Sequence, residues 1–188
     1  MLKYTGYIRK IRYYSESSHY IVALLEVEED QELLTMNGYM SNFNDYDKYA
    51  FYGDFEIHPK YGQQFKLDHY EIVLSTDEEE IIKYLSSPLF KGIGPTQAKY
   101  IVDALGENAL SLIKEDKHHL DLVKGMTVAK RELIYEVLTS NDYDQEVTQF
   151  FMGHGISLRH IGIIQETYKE KTLEILQNHP YQLVEDID

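Results

Sequence analysis

The sequence predicts a chain that is β-rich at the start and α-helical afterwards, with a small five-stranded barrel followed by tandem helical hairpins. Three observations support this fold class. Residues 1–75 contain five short runs rich in β-branched and aromatic residues. Two glycine-containing turns then lie between apolar helical segments, 33 residues apart, at positions 92 and 125. A wider repeat follows, because Gly92-Ile93 returns 63 residues later as Gly155-Ile156.

The predicted barrel occupies residues 1–75, where turn-forming residues separate the strands. Gly6, Gly38 and Gly53 lie inside three of these strands, and glycine at such positions is typical of a bulge or a sharp corner. Short, strongly bent strands favour a five-stranded OB-like barrel, and an open SH3-like barrel is the alternative. The predicted strands are residues 5–14, 19–27, 32–40, 48–57 and 63–74.

A helix is predicted directly after the barrel. Thr76 and Glu79 have the spacing of a capping box, and the acidic residues 77–80 suit the positive end of the helix dipole. We expect this helix to end before Pro88, just ahead of the first glycine-containing turn.

Two glycines flank one apolar residue at Gly92-Ile93-Gly94, and Pro95 follows where a helix would begin. Glycine allows positive φ and leaves no Cβ between an anion and the backbone, while proline suits the first helical turn. The free amides at such a helix start can bind a phosphate. The spacing predicts a helix-hairpin-helix element, with Ile93 in the core and Ala98 at the contact between helices. A plain tight turn between packed helices is the alternative.

A second and weaker hairpin is predicted at Gly125-Met126-Thr127, where Thr127 replaces the second glycine. Lys91 and Lys124 precede the first glycine of each turn, so the pair could be related by a pseudo-two-fold axis and could hold DNA backbone at two points. The predicted DNA-binding residues are Lys91, Gly92, Ile93, Gly94, Thr96, Lys99, Lys124, Gly125, Met126, Thr127 and Lys130.

The formal net charge of −14 opposes nucleic-acid binding overall, but its distribution favours such binding locally. Basic residues outnumber acidic ones in residues 91–131, and residues 1–14 contain four basic residues and no acid. We therefore expect modest affinity. The first strand also interleaves tyrosines (Tyr4, Tyr7, Tyr13, Tyr14) with cations (Lys3, Arg9, Lys10, Arg12), a pattern that suits single-strand stacking as well as half-buried cover for a docking surface.

The last part of the chain is predicted to be a second, truncated helix-hairpin-helix-like unit. In the repeat, Ser157 replaces Gly94 and the lysines are lost, so the packing pattern remains without the phosphate chemistry. Gly125 corresponds to position 188, so we expect the chain to stop inside its final hairpin, with Leu183, Val184 and Ile187 poorly packed. The predicted domains are residues 1–75, 76–141 and 142–188.

Several function classes find no support in the sequence. It has no cysteine, which excludes disulfides and thiolate metal sites and fits a reducing cytoplasm. No apolar run approaches the roughly 18 residues of a membrane span. There is no phosphate-loop motif, no catalytic constellation and no clustered histidines. We expect a cytoplasmic chain that has no membrane contact and no bound cofactor or metal, and that is not an enzyme by itself.

Four motifs then occur in a specific order, and through them the chain resembles the N-terminal region of the long, N-terminally extended RecD-like bacterial DNA helicases (exodeoxyribonuclease V alpha-subunit-like). Thr127 departs from the glycine that is usual in that family. The motifs are His58-Pro59-Lys60-Tyr61-Gly62-Gln63-Gln64-Phe65, Tyr84-Leu85-Ser86-Ser87, Lys91-Gly92-Ile93-Gly94 and Asn178-His179-Pro180-Tyr181-Gln182-Leu183.

The resemblance implies a parent protein that is an ATP-dependent 5′-to-3′ DNA helicase of DNA repair and recombination. ATP and Mg²⁺ would belong to two RecA-like motor domains elsewhere in that parent. Two hypotheses for this chain remain open. It is a sequence-independent DNA-binding accessory region, or it is a protein-interaction module that docks the motor or a repair partner and has little DNA affinity of its own.

Overall fold

The structure is a computed structural model that describes residues 1–140, 142, 147, 151 and 158–178. These residues fall into two units, which are described separately. One unit contains residues 1–45 and 49–71 with the described residues from 142 onward, and the other contains residues 46–48 and 72–140. The three-domain division expected from the sequence stays a prediction.

The first unit contains a closed barrel with the strand order β1-β2-β3-β5-β4. The neighbours β1–β2, β1–β4 and β2–β3 are antiparallel, whereas β3 and β5 run parallel. A closed five-stranded barrel of this kind is OB-like, as the sequence predicted, rather than the open SH3-like alternative. The strands are β1 (Leu2–Tyr14), β2 (Tyr20–Val27), β3 (Leu33–Tyr39), β4 (Lys48–His58) and β5 (Gly62–Val73).

Strand β1 bends enough to pair with both β2 and β4. Its register shifts between Ile8 and Lys10, and again between Ile11 and Tyr13, which are the sites of β-bulges or similar irregularities. A Cβ built on Gly6 would overlap the carbonyl oxygen of Glu26 on β2, so only glycine fits at this close approach. The glycine predicted to mark a corner of the barrel is therefore required by backbone contact.

The barrel core comes from strict alternation of side chains along the strands. Strand β2 alternates half-buried and buried residues along its whole length, so Ile21, Ala23, Leu25 and Val27 point inward. Residues at the intervening positions therefore face outward. Other fully buried barrel residues are Ile8, Met36, Met40, Tyr49, Phe51 and Phe65.

The second unit is helical and is built around one hydrophobic cluster. The two predicted hairpin turns lie between its helices, and short 3₁₀ turns at Gly106–Asn108 and Lys117–Leu122 complete the connections. The helices are α1 (Glu78–Leu85), α2 (Pro95–Leu105), α3 (Ala109–Glu115) and α4 (Val128–Thr139). The buried cluster includes Ile81, Leu85, Phe90, Ile93, Ala98, Ile101, Leu110, Ile113, Leu120 and Ile134.

The 63-residue repeat is visible in the described structure. Helix α5 (Leu158–Tyr168), a 3₁₀ turn (Lys169–Lys171) and helix α6 (Thr172–Asn178) have the same lengths and order as α2, its 3₁₀ turn and α3. Lys169 has φ +49°, and Gly106 at the equivalent position has φ +72°. The Gly155-Ile156 turn and residues 179–188, including Leu183, Val184 and Ile187, lie outside the described residues.

The cap of α1 differs from the sequence expectation. Asp77 is the N-cap residue, and its carboxylate accepts a hydrogen bond from the Glu80 amide at 2.9 Å. The predicted capping box at Thr76 and Glu79 was therefore wrong by one residue. A charged carboxylate is the stronger acceptor at the positive end of a helix, which favours aspartate as the cap.

Glu80 also provides a pH-dependent contribution to stability. The Lys48 ammonium donates to its carboxylate at 2.8 Å, and the Ser75 hydroxyl donates to the same oxygen. These hydrogen bonds, first that from Lys48 and then that from Ser75, hold the pKa of Glu80 below its usual value. A depressed folded-state pKa stabilises the fold above the unfolded pKa, and this stability is lost as pH falls through the folded pKa.

We predict that Glu80→Gln lowers the free energy of unfolding at pH 7 by about 1 kcal/mol or less, because the pair is partly exposed. The difference from wild type should shrink as the pH is lowered from 7 towards 3, measured by urea unfolding of the helical signal. Glu79→Gln is the matched control, because Glu79 is exposed and has no lysine partner among the described residues. Equal effects of Glu80→Gln at both pH values would contradict this interpretation.

Candidate nucleic-acid interface

The first hairpin has the geometry that its two glycines predict. Gly92 has φ +83°, and Gly94 is extended with φ −90° and ψ 175° as the N-cap residue of α2. The amide of Ile93 donates to the carbonyl oxygen of Phe90 at 3.0 Å, which closes the turn. Ile93 is only 4% exposed, and Ala98 is fully buried in the helical core, as predicted.

The start of α2 is open to an outside acceptor. A Cβ built on Gly92 or Gly94 would meet nothing within 4 Å, and no side chain caps the helix. Pro95 has no amide hydrogen, so the first-turn donors not used inside the helix are those of Thr96 and Gln97. This arrangement can bind an anion through backbone amides.

The second hairpin repeats the turn but changes its chemistry. Gly125 has φ +75°, and the amide of Met126 donates to Val123 at 3.2 Å, equivalent to the bond made by Ile93. Thr127 is extended with φ −115°, so this position does not require glycine. Its hydroxyl accepts from the Lys130 amide at 3.3 Å. The side chain thus occupies a donor that the first hairpin leaves open.

Equivalent residues of the two hairpins contact each other. Gln97 and Lys130 are related by the 33-residue offset, and the Lys130 Nζ lies 3.4 Å from the Gln97 Oε1. The Gln97 Nε2 also donates to the carbonyl oxygen of Lys124 at 3.0 Å. When two units are related by a two-fold axis, equivalent residues of the two units contact each other near that axis. The sequence analysis missed Gln97, although the offset to Lys130 was a usable signal.

The lysines near the turns differ in their surroundings from Lys117 and Arg131 of the same unit. Lys91 and Lys99 are exposed and have no hydrogen-bond or ion-pair partner within residues 1–140 or the later described positions. The Lys124 Nζ lies 5.3 Å from the ring centroid of Tyr100, a cation–π contact that the sequence did not indicate. The Lys130 Nζ has one hydrogen-bond partner in the described part of the chain, the neutral side chain of Gln97.

Lys117 and Arg131 are instead neutralised by acids. Lys117 pairs with Glu132 at 2.8 Å, and Arg131 pairs with Asp121 at 2.7 Å and with Glu132 at 3.2 Å. Hydrogen bonds from His118 and then from Arg131 hold the pKa of Asp121 below its usual value. Of the seven basic residues at positions 91–131, four lysines (Lys91, Lys99, Lys124 and Lys130) lie close to the two turns in sequence and have no acidic partner among the described residues.

Three of the four β1 tyrosines are half-buried against partners, which agrees with the half-buried alternative that the sequence left open. Tyr4 packs edge-on against Phe65 at 5.4 Å, and the Arg9 guanidinium lies 5.2 Å from the centroid of Tyr7. Tyr14 bonds His19 through its hydroxyl. These three side chains are half-buried, whereas Tyr13 is 56% exposed.

Among the described residues, no group of three or more histidine and carboxylate side chains has an arrangement that could hold a metal ion. No helix in the described part of the chain is long and apolar enough to span a bilayer.

A closed OB-like barrel and helix-hairpin-helix turns are both modules that proteins use to contact nucleic acid. Two family models match separate parts of the chain, and both describe domains of ATP-dependent DNA helicases. Residues 1–75 match the family model of the OB-fold domain of the ATP-dependent DNA helicase YrrC. Residues 140–188 match that of the HHH domain of the ATP-dependent RecD2 DNA helicase. The resemblance to the N-terminal region of RecD-like DNA helicases is confirmed.

Because only the second hairpin has a side-chain cap, the backbone amides at the starts of α2 and α4 should differ in their protection from hydrogen exchange. The Gln97 amide should exchange with solvent faster, relative to its intrinsic rate, than the Lys130 amide, because only Lys130 donates to a capping hydroxyl. Gly94→Thr should slow exchange at Gln97, and Thr127→Gly should speed exchange at Lys130. Gly94 is extended and has open space for a Cβ, so the first variant adds a cap without strain. Unchanged exchange at both amides in the two variants would contradict the assignment.

Proposed function

We propose that this chain is a sequence-independent DNA-binding accessory region of an ATP-dependent 5′-to-3′ DNA helicase that acts in DNA repair and recombination. The observation that carries the proposal is the uncapped start of α2 at Gly94, next to two lysines that have no partner among the described residues. The family matches to helicase domains support the same role.

The first hairpin would hold one backbone phosphate. The amides of Thr96 and Gln97 point to the same helix terminus, the open space at Gly92 and Gly94 lets the phosphate approach, and Lys91 and Lys99 add positive charge. No base edge is involved in this arrangement. Such contacts position a protein on DNA without reading its sequence.

The second hairpin would hold a second phosphate more weakly. Thr127 occupies the Lys130 amide, so binding there depends more on the side chains of Lys124 and Lys130. Tyr100 holds the Lys124 ammonium near the turn and thereby reduces the entropy that binding would cost. The two hairpins would therefore bind DNA with different strengths, the first mainly through backbone amides and the second mainly through lysine side chains.

The chemistry of the helicase would lie elsewhere in the parent protein. The two matched domains are accessory domains, and no motor domain is evident in this chain. In the proposed parent, ATP and Mg²⁺ are bound by motor domains in cis, and this chain contributes DNA contacts without a cofactor of its own.

A second candidate function is a protein-interaction module that docks the motor domains or a repair protein. The net charge of −14 favours it, because a strongly acidic chain repels DNA. Two exposed apolar side chains, Leu122 and Val128, flank the second hairpin at 76% and 65% exposure. Exposed apolar side chains of this size suit a protein contact better than a phosphate contact.

We predict that Lys91→Glu weakens binding to duplex DNA severalfold without unfolding the chain. For the wild type, the slope of log affinity against log salt should be about −2 to −4, since only a few phosphates are engaged, and the variant should lose about one unit of slope. Fluorescence anisotropy over a salt series measures both quantities. Gly94→Thr should also weaken binding, because it occupies the Gln97 amide.

Lys171→Glu is the matched control for this prediction. It changes the net charge by the same amount at an exposed lysine outside the hairpins, so it should bind DNA nearly as the wild type does. Equal weakening by Lys91→Glu and Lys171→Glu would show that the net charge of the chain, and not a contact at the hairpin, determines the affinity for DNA. That result would favour the protein-interaction module.

We also predict that binding is independent of DNA sequence. Amides and lysines contact phosphates, which are the same in every sequence. Competition between duplexes of equal length and different composition should give affinities that agree within a few-fold. A consistent tenfold preference for one sequence would show that a base-reading element exists.

A further inference from the structure

The tip of the second hairpin, Lys124 and Gly125, is held by a side chain of the first hairpin's helix. Val123 is only 4% exposed and fixes the start of this turn in the core, but both residues of the tip are exposed. Burial therefore does not fix the tip. The Gln97 Nε2 on α2 donates to the carbonyl oxygen of Lys124 at 3.0 Å, so a hydrogen bond joins the tip to the helix that begins at the first hairpin.

The Gln97 side chain contacts the second hairpin at two further points. A Cβ built on Gly125 would lie 3.2 Å from the Gln97 Oε1, so the amide packs directly against the turn. The same Oε1 accepts from the Lys130 Nζ at 3.4 Å. One side chain thus contacts the backbone of the turn and a lysine of the helix that follows it.

The residue type at position 97 matches these partners. A glutamine amide has a donor and an acceptor at the same end of the side chain, and here they face a carbonyl oxygen and an ammonium group. Glutamate would place a carboxylate against the carbonyl oxygen of Lys124, and lysine would place a second ammonium against Lys130. Among side chains of this length, only glutamine can make both hydrogen bonds.

Tyr100 adds a contact from the same face of α2. It lies three residues after Gln97, so the two side chains are neighbours on the helix surface. The Lys124 Nζ lies 5.3 Å from the centroid of the Tyr100 ring, while the Lys124 carbonyl oxygen accepts from Gln97. Helix α2 therefore contacts both the backbone and the side chain of Lys124.

We propose that Gln97 is a positioning residue, whose side chain fixes the tip of the second hairpin relative to the first, so that the two hairpins bind two backbone phosphates in one event. This inference rests on the proposed function, in which both hairpins hold phosphate. A contact that is already in position needs little further ordering on binding, and two contacts at a fixed spacing reinforce each other. Without the Gln97 amide, the first hairpin would still bind its phosphate, but the second would contribute less.

The test compares the effect of Lys124→Glu in two backgrounds, by fluorescence anisotropy on duplex DNA over a salt series. In the wild type, Lys124→Glu should weaken binding and remove about one unit of the slope of log affinity against log salt. In Gln97→Met, which keeps the length of the side chain and its backbone amide but removes both hydrogen bonds, Lys124→Glu should remove about half a unit or less. Lys91→Glu should have its full effect in both backgrounds.

Two further variants separate the hydrogen bonds from packing and from the substitution itself. Ala104→Met adds the same side chain at an exposed residue near the other end of α2, so it should leave the full effect of Lys124→Glu. Gln97→Glu should behave as Gln97→Met does, because it keeps an acceptor for Lys130 but cannot donate to the carbonyl oxygen of Lys124.

Relaxation of backbone ¹⁵N nuclei in the free proteins measures the positioning without DNA. The order parameter of the Gly125 amide should fall in Gln97→Met, because the hydrogen bond that holds the tip is lost. The order parameter of the Gly92 amide should be the same as in the wild type, since the first turn makes no use of the Gln97 side chain.

An undiminished effect of Lys124→Glu in Gln97→Met would overturn the inference, and so would an unchanged order parameter at Gly125. Either result would leave the proposed function standing, provided that Lys91→Glu still weakens binding more than Lys171→Glu does. Absence of DNA binding by the wild type would instead overturn the proposed function, and this inference with it.

Discussion

Both hairpins depend on one backbone constraint: a glycine at positive φ followed at once by a side chain that turns into the helical core. Gly92 and Gly125 have φ +83° and +75°, and each is followed by an amide that closes the turn on a residue three positions earlier. Once Ile93 is buried, the next residue must start a helix with its amides facing away from the core. The same turn thus stabilises the fold and exposes the donors that the proposed function uses.

Packing and binding chemistry are separable in this chain. Gly94 and Thr127 both adopt extended backbone, so exchanging one for the other changes the available amides and leaves the turn intact. The later repeat shows the same separation. Helix α5, its 3₁₀ turn and α6 have the lengths and order of α2, its 3₁₀ turn and α3, although Lys169 replaces Gly106 at the position with positive φ. The repeated units retain their helix spacing while the residues that could bind phosphate diverge.

The sequence was sufficient to predict features that depend on local patterns. The five strands, the turn at Gly92–Gly94 and the repeat follow from alternation, glycine spacing and a fixed offset. Features that depend on which side chains meet could not be read in advance. The charge count over residues 91–131 included Arg131, but Asp121 and Glu132 pair with it. The contact between the rings of Tyr20 and Tyr39 likewise required the register of β2 with β3.

The separation of paired and unpaired charges explains how an acidic chain can be suited to transient DNA contact. Asp121 and Glu132 of the helical unit are held against Lys117 and Arg131, while the lysines beside the turns have no acidic partner among the described residues. In the proposed function, attraction to phosphate would be confined to the short range at which screening by salt is weak, and repulsion from the acidic remainder of the chain would limit the affinity for DNA. An accessory region that travels with a motor must release each phosphate as the motor advances, so a few contacts of modest strength serve the proposed role better than a continuous basic surface.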